Sequence, residues 1–307
     1  MDSGLDFLYK VDSFEELKDL ADAGDKIAQY TIGLCYEEGI GTIKCPKLAF
    51  HYYELSAKQD SPNGLYYLAR CYENGLGCKK STEQAIHFYE LASENKPVSS
   101  WSALANLYEK DIGCQESINK ANFYHQKKFQ YLINDDLDCP FVQVLIGHYY
   151  KEGRGVEKSL EKAFYYYSLA ANQGHIYGYS KVAECYENGW GVEKSIESAM
   201  YYYELVTRKT DISTDKISCG LAYKSIIHLL WENRIDDQKL FFYVKRGLDE
   251  EFINNSIFYY VDILGKCFLE GIGCEKSIEK AIQVYELASK NNPEPSWYEL
   301  ANIYERI

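Results

Sequence analysis

The stretch Val182-Ala-Glu-Cys-Tyr-Glu-Asn-Gly189-Trp-Gly191-Val-Glu-Lys-Ser195-Ile-Glu-Ser-Ala199 holds a glycine pair and, eight residues after the second glycine, an alanine. The pair recurs at Gly39/Gly41, Gly75/Gly77, Gly153/Gly155 and Gly271/Gly273, with a half-match at Asp111/Gly113. The alanine follows at the same offset as Ala49, Ala85, Ala121, Ala163 and Ala281. Successive second glycines are 36, 36, 42, 36 and 82 residues apart, so the last interval holds two units of a roughly 36-residue repeat.

Upstream of each pair the sequence has a helical period. Three residues before the first glycine stand Tyr36, Tyr72, Tyr108, Tyr150, Tyr186 and Phe268. Six before stand Gly33, Ala69, Ala105, Gly147, Ala183 and Gly265, and seven before stand Ile32, Leu68, Leu104, Ile146, Val182 and Leu264. Offsets of three and four place these on one stripe of a first helix, where a small residue admits a neighbouring backbone or ring. Downstream, Ser81, Ser117, Ser159, Ser195 and Ser277 stand at the N-cap of a second helix, and Pro46 opens the corresponding helix of the first unit. The alanine and the aromatics three and four residues later, such as Phe88 and Tyr89 or Tyr166 and Tyr167, make that helix's buried stripe, and Gly174 ends one of them. Each unit is therefore an antiparallel helix pair that cannot cover its own apolar face, so units stack.

The fold expected is all-α, with about seven helix-turn-helix repeats behind an N-terminal capping helix. Residues 1–23 form that cap, with Ser13 and Glu16 as a capping box before Phe14, Leu17, Leu20 and Ala21. The array at 24–307 divides into units at about 24–60, 61–97, 98–140, 141–175, 176–212, 213–255 and 256–292, with a half unit at 293–307 beginning near Trp297. Three departures stand out, the unpaired last helix from Trp297 among them. Asp111 and Ile112 replace the start of one glycine turn, and an insertion near Lys127 to Pro140 follows. In the sixth unit Trp231 takes the tyrosine column, Arg234 replaces glycine and His228 takes the small-residue column, which makes irregular stacking the expectation there.

Composition narrows the function. A net charge of −13 and an acidic background argue against nucleic acid and anionic membrane surfaces as partners. Met1 to Lys10 lacks a basic region followed by an apolar stretch, and no run approaches the ~18 apolar residues needed to span a bilayer. The chain is expected in the cytosol, or in a host cell's cytosol if it acts as an effector. Of the ten cysteines, Cys35, Cys71, Cys185 and Cys267 share a column that elsewhere holds Leu107, Tyr149 and Ile303; Cys78, Cys114 and Cys274 share another, with Val156 and Val192. Slots that accept Leu, Ile or Val are packing slots, and free thiols are expected. A local disulfide or metal clip at the seven-residue spacing of Cys71/Cys78 and Cys267/Cys274 remains the alternative.

No catalytic constellation emerges. Gly75-Leu-Gly-Cys-Lys-Lys-Ser81 has glycine and Lys-Ser but lacks the G-x4-G-K-[ST] spacing of a phosphate loop, and no strand precedes it. The six histidines lack metal-ligand spacing and no G-x-S-x-G occurs, so no enzyme activity, cofactor or metal is expected. In the runs Tyr165 to Tyr167 and Tyr201 to Tyr203, three successive residues span most of a helix's circumference, so one or two pack and one hydroxyl reaches the surface.

The glycine pair, the alanine, the aromatics and the Ala-Ala-Asn-Gln-Gly ending at Gly174 resemble the Sel1-like repeat family, relatives of tetratricopeptide repeats, over roughly residues 24 to 307. The resemblance implies a right-handed superhelical solenoid with a concave groove, used as an adaptor or scaffold for protein partners. It also implies a second reading, because some members are secreted, disulfide-stapled proteins described as penicillin-binding or β-lactamase-like. A groove would be lined by residues nine, five and two before the first glycine, which share a stripe of the first helix. The candidates are Tyr30, Leu34, Glu37, Tyr66, Arg70, Glu73, Asn106, Glu109, His148, Lys151, Glu184, Glu187 and Lys266. Their mixture of aromatic, polar and acidic groups suits a peptide or helix, with an acidic bias toward a basic segment.

Overall fold

A computed structural model describes residues 13–95, 97–110, 115–135, 137–209, 216–249, 257–289, 300–301 and 303–304. Among them are fifteen helices and no strand. The chain forms two compact units, Met1–Asp136 with Gly153–Glu157, and Leu137–Glu152 with Lys158–Ile307. The first holds α1 (Phe14–Asp22) and the pairs α2 (Lys26–Glu38) and α3 (Pro46–Ala57), α4 (Pro62–Asn74) and α5 (Thr82–Ser93), and α6 (Pro97–Lys110) and α7 (Gln115–Asp135). The second holds α8 (Pro140–Glu152) and α9 (Leu160–Asn172), α10 (Ile176–Asn188) and α11 (Ile196–Lys209), α12 (Lys216–Asn233) and α13 (Asp237–Asp249), and α14 (Ile257–Glu270) and α15 (Ile278–Ser289). Within each unit every helix packs on the next along the chain, which is the architecture of an all-α repeat solenoid.

Local chemistry sets the helix ends. The Ser13 hydroxyl accepts the Glu16 amide at 3.1 Å, and Ser81, Ser159, Ser195 and Ser277 accept the amide three residues on at 3.2, 3.2, 3.2 and 3.3 Å. Ser117, expected at an N-cap, instead lies inside α7, which starts two residues earlier at Gln115, and is buried in its first turn. The turn at Asp111 to Cys114 and most of 293–307 lie outside the described residues, as do residues 1–12 of the capping segment. Leu300 and Ile303, however, pack against Tyr285. The extra residues of the third unit lengthen α7, which runs unbroken to Asp135.

The two glycines of each turn serve different purposes. The first, as in Gly189 (φ 72°), is the left-handed C-cap whose N–H donates to Cys185 O. The second lies against the preceding repeat: a Cβ on Gly191 would stand 2.1 Å from the Leu160 carbonyl oxygen at the start of α9, and one on Gly77 2.1 Å from that of Pro46.

The two aromatics after each alanine also differ. The ring three residues on stacks on the first-helix tyrosine of its own pair: Tyr36 on Tyr52, Tyr72 on Phe88, Tyr108 on Tyr124, Tyr150 on Tyr166 and Tyr186 on Tyr202, at centroid distances of 5.6 to 6.0 Å. The ring four residues on lies over the small-residue column. A Cβ on Gly33 would stand 2.5 Å from the Tyr53 ring, one on Gly147 2.4 Å from Tyr167, and one on Gly265 2.3 Å from Tyr285. Tyr53, Tyr89, Tyr167, Tyr203 and Tyr285 are consequently buried, whereas Tyr165 and Tyr201 face solvent.

The sixth pair departs from this plan because its turn is short. Lys239 N donates to Asp236 Oδ1 at 2.9 Å, making Asp236 the N-cap of α13. Only two positions separate it from Arg234, where Gly189 and Ser195 are six apart. Leu240 and Val244 then take the alanine and tyrosine columns, no ring among the described residues covers His228, and His228 is exposed. Arg234 itself holds φ 47°, a left-handed conformation that glycine adopts freely and other L-residues at a cost of ~1 kcal/mol or more. Arg234→Gly should therefore stabilise the chain by about 0.5 kcal/mol. A urea midpoint unchanged or lowered in this exposed variant would refute the strain.

Candidate functional site

The first-helix stripe divides between the two units. In the first, Tyr30 is 1% exposed and stacks near Tyr67, so it offers nothing to a partner. Leu34 is half-buried against the same core. Glu37 accepts the Tyr53 hydroxyl at 2.6 Å and Glu73 that of Tyr89 at 2.9 Å, while Glu109 meets His125 Nε2 at 2.9 Å. The residue over the small-residue column thus places its polar tip on the stripe in each pair. These carboxylates are also paired to cations of the following repeat: Glu37 with Arg70 at 3.4 Å, Glu73 with Lys110 at 3.1 Å, and Glu109 with Arg154 at 4.0 Å. They join helix to helix and repeat to repeat, which the sequence pattern could not show because the stripe varies in identity while the reach of the tyrosine does not.

Between α4 and α6 this unit opens into a recess of about 670 Å³ whose lining includes Tyr66, Arg70, Glu73, Asn106, Glu109 and Lys110. Five of the thirteen stripe residues meet there. Asn106 is exposed, so its amide is open to a partner's backbone. The Tyr66 ring is half-buried and lies 5.5 Å from Tyr89.

In the second unit Lys151 takes the place of the glutamate, and the Tyr167 hydroxyl pairs instead with His148 Nδ1 at 3.2 Å. Lys151 lies 4.0 Å over Trp190 of the next repeat. Glu184 accepts Lys181 Nζ at 2.6 Å, Glu187 accepts the Tyr203 hydroxyl at 2.8 Å, and Lys266 donates to Asp262 at 2.7 Å. The charged stripe residues are Glu37, Glu73, Glu109 and Arg70 in the first unit, and Glu184 and Glu187 with Lys151 and Lys266 in the second.

Burial pushes the Cys71, Cys185 and Cys267 thiols up to about 12, so they stay protonated at neutral pH. The nine described cysteines are free, and the Cys78 and Cys274 thiols each donate to the carbonyl seven residues earlier at 3.4 Å. Among the described residues no three His, Cys, Asp or Glu side chains gather as a metal site, and no helix is long and apolar enough to cross a membrane.

His125 gives the first unit a pH dependence. Burial holds its imidazole below the ordinary value of 6.5, and the Glu109 hydrogen bond, which works the other way, does not offset it. Burial likewise lowers His148 and His175. Unfolding lets these groups bind protons, so stability is fully present above pH ~6.5 and falls as pH drops below it. The urea midpoint should decline from about pH 7.5 to about pH 5.5, and His125→Gln should flatten the decline. Equal slopes in the two proteins would refute the assignment.

Fold and site define a class: an α-solenoid of paired helices with no assembled catalytic group among the described residues. The Sel1 repeat model matches residues 26–61, 62–97, 102–127, 140–175, 176–206 and 263–293, well over half of the chain. The chain belongs to the Sel1 repeat family, whose members are generally protein-interaction scaffolds on a fold that is typically non-catalytic. A Sel1 repeat protein from Oxalobacter formigenes has the same fold, with a TM-score of 0.52 at 21% identity over 93% of this chain and 95% of that one. A protective antigen of uropathogenic Escherichia coli, c5321, which displays an SLR fold, aligns with a TM-score of 0.40 at 19% identity over 95% and 74% of the two chains. No curated protein matches the sequence.

Proposed function

We propose that the chain is a non-catalytic interaction scaffold that takes a partner peptide or helix on the first-helix stripe, with the recess between α4 and α6 as its anchor. The observation that carries this reading is the recess itself, where an aromatic face, an exposed amide and charged groups converge in about 670 Å³. The stripe carboxylates are already braced by tyrosines and cations, so a basic segment of the partner would compete with Arg70 and Lys110 for Glu37 and Glu73. Protonated, buried thiols suit a reducing cytosol, and a thiol titration of the unfolded protein should find all ten cysteines free. Any disulfide would favour the secreted reading.

Affinity capture from the native source, repeated with Tyr66→Ala, Asn106→Arg and His148→Glu, tests the stripe. Each change should leave the fold intact, checked by its thermal transition. The first two should weaken capture by about tenfold or more. Undiminished capture by both would reject the recess.

A further inference from the structure

The seventh helix pair lacks one part that five others have. In those five the first-helix tyrosine carries a parallel ring three residues after the alanine. In the seventh, Phe268 takes the tyrosine's place and the stacking position is Val284. The rest of its surroundings are kept. Phe241 meets Phe268 edge-on at 5.4 Å, as Phe50 meets Tyr72 and Phe164 meets Tyr186 at 5.5 Å. Lys280 lies 5.8 Å from the Phe268 centroid, as Lys162 lies 5.1 Å from that of Tyr150. Among the described residues no ring stacks on Phe268, and a cleft of about 570 Å³ opens there between Phe241, Leu264, Phe268 and Val284. Its rim carries Lys245 and Lys280 against the single carboxylate of Glu275.

We infer that this cleft is a docking slot for one aromatic side chain of a protein partner, flanked in that partner by acidic residues. The missing ring defines the shape of the occupant, because the sister repeats show what completes the same surroundings: a planar ring parallel to the first-helix aromatic at 5.6 to 6.0 Å. The rim defines its charge, since two ammonium groups face one carboxylate in a chain of net charge −13. Val284 is too short to fill the space its counterparts fill. A ring inserted from outside would bury its own face and that of Phe268 against Phe241, Leu264 and Val284, as an anchor residue does. The slot lies on α13 to α15 of the second unit and is independent of the recess between α4 and α6.

The test uses the full chain and a blocked tripeptide of aspartate, tyrosine and aspartate, titrated by calorimetry or by NMR of the Val284 methyl groups. Saturable binding is expected. Replacing the peptide's tyrosine by leucine should weaken it about tenfold, and replacing its aspartates by lysine should weaken it several-fold. Val284→Tyr restores the sister arrangement, so it should raise the thermal midpoint and abolish binding. Lys280→Glu, an exposed change, should weaken the acidic peptide several-fold whatever Val284→Tyr does to folding. Absence of saturable binding up to millimolar peptide, equal binding of the leucine peptide, or unchanged binding by Lys280→Glu would overturn the slot. Binding of 4-hydroxyphenylacetate as tightly as the peptide would overturn the protein partner as its occupant.

Discussion

Replacing Gly191 by alanine should destabilise the second unit by about 3 kcal/mol or more, whereas the same change at Gly189 should cost only about 1 kcal/mol. Both residues hold a left-handed backbone, φ 67° and 72°, so both variants bear the cost of a Cβ in that region. What separates them is the neighbour. A Cβ on Gly189 would find nothing nearer than Lys194 Cβ at 3.6 Å, an ordinary van der Waals contact. A Cβ on Gly191 would stand 2.1 Å from the Leu160 carbonyl oxygen and 2.3 Å from its carbon, and this backbone cannot move without shifting α9. Gly273, where an added Cβ would stand 1.9 Å from the Asp237 carbonyl oxygen, should behave like Gly191. Gly41, where an added Cβ would meet nothing nearer than Phe14 Cβ at 3.3 Å, should be the mildest of the described second glycines. Hydrogen exchange resolved along the helices should place the loss in α9 to α11, because each repeat of a solenoid leans on its neighbours. Gly191→Ala no more destabilising than Gly189→Ala would refute the close backbone approach.

Tyr203 should show the second large effect. Its ring is 4% exposed, and its hydroxyl donates to Glu187 Oε2 at 2.8 Å. Burial, with the nearby carboxylate acting in the same direction, pushes its pKa far above the ordinary value, so the phenol remains a donor throughout the accessible pH range. Tyr203→Ala should cost about 3 to 5 kcal/mol, the scale of a large ring removed from a packed core. Tyr203→Phe keeps the ring and loses the hydroxyl's bonds to Glu187 and Ser225, so about 1 to 2 kcal/mol is expected. Glu187→Gln should cost no more than the phenylalanine variant, and the double variant should cost less than the two singles together. Equal losses for Tyr203→Phe and Tyr203→Ala would mean that the hydroxyl, not the ring, holds the pair together.

These variants bear on the stripe as well as on stability. Glu37, Glu73, Glu109 and Glu187 look like groove residues in the sequence because they lie on the face opposite the buried columns. Each proves to be half of a bond from the second helix. A partner reading this face meets carboxylates already oriented by phenols or imidazole and partly neutralised by Arg70, Lys110 and Arg154. Loss of binding in a stripe variant therefore has to be separated from loosening of the repeat, and Asn106 and Tyr66 are better probes than any of the glutamates.

The sequence alone determines the helix pair, its register and its turn. Gly189 must reverse the chain with a positive φ, Ser195 must satisfy free amides, and Ala199 with the aromatics behind it repeats at offsets only a helix brings to one side. All of these are local requirements, written within a few residues of where they act. What only the tertiary structure decides is how two such stretches meet. The second glycine answers to a carbonyl some thirty residues earlier in the chain, at Leu160 for Gly191. The two adjacent aromatics part company because one faces a tyrosine and the other a small residue on another helix. The sixth pair slips because its turn lost residues between Arg234 and Asp236, which a reading keyed to glycines cannot register. Val284 becomes an opening rather than a mere substitution because Phe268 lies across from it. Close packing is a property of facing surfaces, and facing surfaces exist only once the chain has folded.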